Sequence, residues 1–288
     1  MKRRSSSSDI SPDSRNISQL LERFFTLSRG GGVLFALMKA TMHVLGIKDE
    51  ITKAKEKVLA HILSIHNYVV AYGPFEGMRL NPNVWWGRFD VITKTLGTYE
   101  QHVLEKLLEL RRRAKGPFVD IGAADGYFAI GAALCGLGDQ VFAYEINAEA
   151  REAIRLNAEI NGCLQKLSIQ AVANFDTLSD LVATHKEALF LIDIEGAEFE
   201  LLCDSTLRLL SRSHILVELH PSFLPDGSQR QAMLLKEAKR YFNIELIERQ
   251  CYEPNKFKEL KRFSDDERLL ALSEGRSDSM QWLVLTPK

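Results

Sequence analysis

Apolar positions fall at two spacings along the chain, and the change between them divides it. From residue 17 to residue 70 they recur three and four apart, in "ISQLLERFF" and again in "AKEKVLAHILSIHNYVV", which predicts helices with one apolar face. "RGGG" at Arg29–Gly32 separates the first helix from the next. "YGPFEGMRLNPNVWWGRFD" then brings Gly, Pro and aromatic residues without helical spacing, which predicts loop and short strand and places a boundary near Tyr72. From Tyr99 the pattern is regular. "YEQHVLEKLLELRRR" is helical, and short apolar runs then alternate with helical ones. The runs "PFVDIGA", "QVFAYEI", "KLSIQAVA", "ALFLIDIEGA", "HILVELHP", "NIELIERQ" and "MQWLVLTP" read as strands. Between them "DGYFAIGAALCG", "NAEAREAIRLNAEING", "TLSDLVATH", "EFELLCDSTLRLLS" and "SQRQAMLLKEAKRYF" read as helices.

Strands that are apolar throughout and alternate with helices imply an α/β fold, a mostly parallel sheet covered on both faces. The last strand has no helical crossover before it, only the charged segment Tyr252 to Ser279 with one short apolar helix pattern, so it is expected to enter antiparallel. The expected division is a basic, Ser-rich disordered tail over residues 1–18, a helical extension over 19–71 and one α/β domain over 72–288.

Composition narrows the function classes. The chain has 288 residues, 45% of them hydrophobic and 26% charged, an ordinary globular balance. A net charge of -1 gives no general attraction to nucleic acid or to an anionic surface. "RRRAK" at Arg111–Lys115 reads as a cation cluster at a helix end. Cys135, Cys163, Cys203 and Cys251 are far apart in apolar contexts with no C-x-x-C pair, which argues against a disulfide framework or a zinc site and fits a cytoplasmic protein. "MKRRSSSSDI" has basic residues but no apolar core after them, so it is not read as a secretion signal. "GVLFALMKATMHVLGI", interrupted by Lys39 and His43, falls short of the ~20 apolar residues of a membrane span. It reads as an amphipathic or buried helix, with weak peripheral membrane contact as its alternative.

The chemistry gathers where strands end. In "FVDIGAADGYFAI" a buried strand runs into Asp120, then into a turn of small residues, then into a helix. Ligands of such sheets sit at this junction, where small residues let a ligand approach the backbone and the helix start offers free N–H groups. The G-x-G-x-x-G spacing of a dinucleotide site is absent. Asp120 and Asp125 would repel a pyrophosphate and suit a ligand with an ammonium group and hydroxyls. Glu145, 25 residues after Asp120 at the tip of the second strand, is placed to accept hydrogen bonds from both hydroxyls of a ribose. Together these describe a nucleoside site.

"FVDIGAADGYFAI", "YEIN", "LIDIEGAEFELL" and "ILVELHP", in that order, resemble class I S-adenosylmethionine-dependent methyltransferases, and within them the FkbM-type family. "LIDIEGAE" is the most family-specific piece, and "LGTYE" resembles the segment before the core. The resemblance covers roughly Tyr99 to Ser222 well, giving a cofactor core of about 99–222 within residues 72–288. It implies a Rossmann-like seven-stranded sheet with an antiparallel last strand and O-methylation of a sugar, glycan or small-metabolite hydroxyl. It also implies site roles. Asp120, Gly122 and Ala123 line the amino-acid end of S-adenosylmethionine, with Asp125 and Gly126 in the same loop. Glu145 holds the ribose, Ile146 flanks the adenine, Asn174 meets the adenine edge, and Asp193 lies near the sulfonium. Tyr99 and Glu100 close over the methionine part. Ala124 stands where many such enzymes have glycine. Each position also has a plainer reading: a tight turn at Gly122, a helix cap at Glu145, an ordinary turn residue at Asn174, a helix start at Tyr99 and Glu100.

A hydroxyl acceptor needs a base, or a metal that lowers its pKa. Asp193, Glu195 and Glu198 in one strand-end motif and Glu218 and His220 in the next are the candidates, with His220, Glu195 and Asp193 read as the catalytic set. Strand alternation points Asp193 and Glu195 one way, and Glu218 and His220 one way. The same cluster could hold a divalent ion, with ligands the sequence does not fix. His185 and His214 receive no role. Arg276 reads as an anion- or sugar-binding loop residue or as a solvated one. Trp85, Trp86 and Phe89 could stack on a sugar face or pack the extension on the core. Two other readings stay open: an NAD(P)-dependent Rossmann oxidoreductase, against which the missing glycine motif counts, and a non-catalytic methyltransferase-like binding protein. Acceptor identity and oligomeric state are not legible.

Overall fold

In a computed structural model, the described residues are 49–83, 87–250, 252–276 and 281–288. The Ser-rich tail, the helices expected before residue 48, and Trp85 and Trp86 lie outside them. Residues Lys55–Lys288 form one compact unit, with Met1–Ala54 a separate one. Within the latter, Asp49 starts helix α1 (Glu50–His66), its carboxylate accepting the Thr52 N–H at 2.7 Å.

The compact unit is built on seven strands: β1 (Phe118–Ile121), β2 (Val141–Tyr144), β3 (Leu167–Gln170), β4 (Leu189–Ile192), β5 (His214–Leu219), β6 (Phe242–Glu248) and β7 (Gln281–Pro287). Their order is β3-β2-β1-β4-β5-β7-β6. β1 pairs in parallel with β2 and β4, all four of its residues buried, and β7 runs antiparallel between β5 and β6. This is the Rossmann-like arrangement that the resemblance implies, and its antiparallel last strand is the one expected from the missing helical crossover. The two outer strands are the exceptions to the apolar-strand reading: β3 has no fully buried residue, and β6 has one. β6 exposes Asn243, Glu245, Leu246 and Glu248, and its charged residues blunt a free edge.

Alternation along the strands splits the core into two layers. Phe118, Leu189, Leu191, Leu216, Trp282 and Val284 face α3 (Gln101–Arg111), α4 (Tyr127–Cys135) and α5 (Ala148–Ile160). Val119, Ile121, Phe190, Ile192, Val217 and Leu283 face α6 (Phe175–His185), α8 (Asp204–Leu209) and α9 (Gly227–Ala238). Each fully covered Leu, Ile, Val or Phe contributes about 1.5–3 kcal/mol. Asp120 follows the first layer, and the alternation that buries Phe118 turns its carboxyl into the crevice at the strand ends.

The run "EFELLCDSTLRLLS", expected as one helix, is two: α7 (Glu198–Leu201) and α8, because Cys203 is extended (φ -70°, ψ 169°) and starts the second. The boundary expected near Tyr72 lies inside the compact unit. There Val58, Leu59 and Ile62 of α1 pack with Val91, Ile92 and Leu96 of α2 (Asp90–Leu96) and with Leu260 and Phe263 of the Tyr252–Ser279 insertion. α10 (Asp265–Ala271), opened by a Ser264–Glu267 capping box, gives that insertion its one α-helix among the described residues. No helix among the described residues is long and apolar enough to cross a membrane.

Candidate active site

At the carboxyl ends of β1, β2 and β4 lies a cleft of about 380 Å³, a volume suited to a small-molecule ligand. It is lined by Tyr99, Glu100, Asp120, Gly122, Ala123, Asp125, Glu145, Ile146, Asp193 and Glu195 of the predicted residues, and also by Lys94, Ala124, Tyr127, Phe128, Val172 and Trp282. Gly126, Asn174 and His220 are not among its walls. Gly126 is the α4 N-cap, with φ +83° and its α-carbon facing Ile130 and Ile154. Asn174 caps α6 instead, its side-chain oxygen accepting the Thr177 N–H at 2.9 Å while Thr177 Oγ1 accepts the Asn174 N–H at 2.9 Å.

The β1–α4 turn is shaped by its neighbours. Gly122 and Ala123 donate their N–H groups to the Tyr144 carbonyl at 2.9 and 3.1 Å, and the Asp193 N–H donates to the Ile121 carbonyl at 2.9 Å. Ala124 sits at φ +48°, a left-handed position that costs a residue with a β-carbon about 1–2 kcal/mol. Its N–H donates to Glu145 Oε2 at 3.0 Å, and the Asn147 N–H donates to Glu145 Oε1 at 2.8 Å. These bonds hold the half-buried Glu145 carboxylate at the cleft wall. Ile146 and Val172, 79% and 51% exposed, give the mouth apolar walls such as a flat ring would cover.

Asp120 is buried with Oδ2 lacking a hydrogen-bond partner. Burial, reinforced by the Asp193 carboxylate, pushes its pKa up to about 8, although the Ala129 N–H pulls it down. An orphaned buried carboxyl oxygen at a cleft wall fits a ligand that brings a cation or a donor. Asp125, read in the sequence as facing a ligand ammonium, has an internal one: Lys94 Nζ lies 2.9 and 3.1 Å from its oxygens.

Beside the cleft, β4 and β5 end in a cluster. His220 is 2% exposed, its Nε2 3.5 Å from Asp193 Oδ1 and 3.6 Å from Glu218 Oε2, and its Nδ1 3.4 Å from Glu198 Oε1. Burial alone would push the imidazole down, but Glu198 and Asp193 outweigh it and hold its pKa above the ordinary histidine value. Glu198, fully buried, accepts the His220 N–H on Oε1 and the Gly196 N–H on Oε2, both at 2.7 Å, and so ties the two strand ends together. Burial raises both Asp193 and Glu218, and the Asp193 carboxyl raises Glu218 further, while His220 and a hydrogen bond with Glu218 pull Asp193 part of the way back. β4 ends at Ile192, so the strand alternation invoked for Asp193 and Glu195 does not reach them. Glu195 turns at φ +57° and meets the cleft by a different route.

Arg276 is neither a free loop residue nor exposed to a ligand. Its guanidinium contacts Glu100, lies 2.8 Å from Glu218 Oε1 and 3.2 Å from Glu274 Oε2, and is 20% exposed. Glu274 in turn accepts the Glu100 N–H at 3.1 Å, yet burial pushes its pKa up to about 7. Lys94, Trp282 and the Arg276–Glu274 pair were missed by sequence reasoning. One signal was available for Lys94, a cation in the short helical run "DVITKTL", close to the apolar Val91, Ile92 and Leu96.

Asp120 and Glu274 have a stability consequence. Their folded-state pKa values lie above the unfolded ones, so the folded protein holds protons the unfolded chain releases. That contribution is complete below about pH 4 and is lost as pH rises through 7 to 8. The melting temperature of the cofactor-free protein therefore falls between pH 5 and 8.5, and Asp120→Asn flattens part of the fall. A pH series by scanning fluorimetry reads it, and an unchanged slope in Asp120→Asn would clear Asp120 of the effect.

No protein-family model and no curated protein sequence matches the chain. Solved structures similar to it include an O-methyltransferase from Bacillus cereus in complex with S-adenosylhomocysteine, at 12% identity over 87% of this chain and 97% of that one, with a TM-score of 0.45. Another is the O-methyltransferase TomG from Streptomyces achromogenes, involved in tomaymycin synthesis and in complex with S-adenosylmethionine, at 13% identity over 83% and 91%, TM-score 0.45. A third is precorrin-6y C5,15-methyltransferase from Geobacter metallireducens, at 17% identity over 66% and 90%, TM-score 0.44. At such values the likeness carries no argument about activity.

Proposed function

We propose that the protein is an S-adenosylmethionine-dependent methyltransferase of the FkbM type, acting on a hydroxyl of a sugar, glycan or small metabolite. The observation that supports this best is the cleft itself. A ribose-type acid at the tip of β2, apolar walls at the mouth and an orphaned buried carboxyl at the tip of β1 meet in one volume. Glu145 takes the ribose hydroxyls, Ile146 and Val172 flank the adenine, and Asp120 with the small residues after it meets the amino-acid end. S-adenosylmethionine supplies a methyl group on a positively charged sulfur. Asp193, at the cleft wall, takes the proton leaving the acceptor hydroxyl, and its raised pKa makes it a stronger base than an ordinary aspartate. His220, behind it at 3.5 Å, orients the Asp193 carboxyl and favours its ionised form before the transfer, and Glu195 lies on the acceptor side.

A second reading uses the same cluster for an ion. One ligand atom from each of Asp193, Glu218 and His220 lies within 4.8 Å of the others, a nitrogen and oxygen donor set that suits a divalent metal. Such an ion would lower the pKa of the acceptor hydroxyl.

Titration calorimetry with S-adenosylmethionine and S-adenosylhomocysteine tests the cofactor assignment. Micromolar binding is expected, weakened roughly ten- to hundredfold in Glu145→Ala, the value of one or two hydrogen bonds to a charged group. Absence of binding by folded protein would return the nicotinamide and non-catalytic readings to first place. Turnover of hydroxylated acceptors with and without magnesium then separates the Asp193 base from the metal.

A further inference from the structure

Resting on the reading that this cleft holds S-adenosylmethionine, we propose that Lys94 holds the carboxylate of that ligand and makes the site select its intact amino-acid end. The walls of the cleft carry six carboxylic acids, Glu100, Asp120, Asp125, Glu145, Asp193 and Glu195, and among the described lining residues one cationic side chain, Lys94. The ligand carries an ammonium and a sulfonium, for which acids are plentiful, and one carboxylate, which the ionised acids among them repel. Lys94 is the side chain that can offset the repulsion.

Its setting is that of a charge held in place for a partner. Lys94 is buried on α2, 4% exposed, yet borders the cleft. Its ammonium lies 5.1 Å from the Tyr99 ring centroid and 5.4 Å from that of Tyr127, two rings that also line the cleft. Asp125 receives two of its contacts. An ammonium has three donors, and the described residues offer the third no hydrogen-bond acceptor. Burying a lysine is costly unless its charge is compensated, and Asp125 supplies one compensating charge while fixing the direction of the ammonium. Asp125 is thus a positioning residue that acts through Lys94. The competing arrangements are a Lys94 that only neutralises Asp125, and a carboxylate held by backbone N–H groups at the start of α4.

The test compares three ligands on the full protein by calorimetry: S-adenosylmethionine, decarboxylated S-adenosylmethionine, and 5′-methylthioadenosine, which lacks the whole amino-acid end. The wild type is expected to prefer S-adenosylmethionine over its decarboxylated form by roughly ten- to hundredfold, one charge-assisted hydrogen bond. Lys94→Met brings that ratio to one or below, since the acids then favour the more cationic ligand, and 5′-methylthioadenosine affinity stays within about twofold, well under the effect of one hydrogen bond. Lys94→Met leaves Asp125 without its partner, so Lys94→Met/Asp125→Asn, which removes both charges, is measured beside it and is expected to give the same collapse. A preference that persists in both variants, or is absent from the wild type while the adenosine ligands bind, overturns the assignment of Lys94. Failure of the folded wild type to bind any of the three ligands removes the cofactor reading itself, and this assignment with it.

Discussion

Gly122→Ala is expected to cost about 2–6 kcal/mol and to abolish binding of an adenosine ligand. Two terms add. Gly122 sits at φ +89°, where a β-carbon brings about 1–3 kcal/mol of backbone strain. An ideal β-carbon there would stand 1.8 Å from the carbonyl oxygen of Asp193 and 2.8 Å from its carbonyl carbon, so β1 and β4 must part at the floor of the cleft. Overpacking of that kind costs about 1–3 kcal/mol more. Gly136→Ala is the control. Its φ is +79° but the space around it is open, so it carries the strain without the collision. Thermal melts of the two variants separate the terms, with Gly122→Ala lower by on the order of 10 °C. Melts that agree within a degree or two would mean that the approach of β4 does not constrain the turn.

Arg276→Met is expected to be nearly as damaging, and its damage depends on pH. The substitution keeps a long apolar stem and removes the one guanidinium that touches Glu100, Glu218 and Glu274. Removing one partner of a buried ion pair costs about 3–5 kcal/mol, and the partial exposure of Arg276 puts the loss near the lower end. The three acids can relieve the loss by taking up protons. Burial already raises Glu218 and Glu274, and losing a guanidinium 2.8 and 3.2 Å from them favours the protonated form of each, Glu218 most, since Arg249 stays 3.6 Å from Glu274. Urea unfolding is therefore expected to show the full loss at pH 8 and a clearly smaller one at pH 5.5. Equal losses at both would show that packing, not charge, is what Arg276 supplies.

What the sequence made legible was local. The β1 strand, its small-residue turn and the α4 start are contiguous, so spacing alone located Asp120, Gly122 and Ala123 at the cleft. Glu145 was legible for the same reason, a strand end identified by its run of apolar residues. A residue with two local uses is ambiguous in the sequence. Asn174 stands after a strand and also before a helix, and the capping bond to Thr177 takes its side chain away from the cleft. A strand's end is no sharper in the sequence, and β4 stops before Asp193 and Glu195. His220 was grouped correctly with Glu218, but depth is not visible in a sequence, and its imidazole lies behind the cleft wall. Arg276 and Lys94 were beyond reach for a different reason. Their partners lie 58 and 31 positions away, brought near only by the sheet order and by the folding of the insertion.

The place of β7 bears on how the chain is made. It is synthesised after both of its sheet neighbours, so a growing chain holds β5 and β6 with no strand between them and two open edges. Pairing across that gap closes long loops late, which slows folding and leaves apolar strands available to other chains meanwhile. Trp282, on β7, lines the cleft and packs with the first core layer. A ribosome-bound chain can thus form β1 to β5 and still lack a finished cleft, and ligand binding reports completion of the last strand rather than of the core before it.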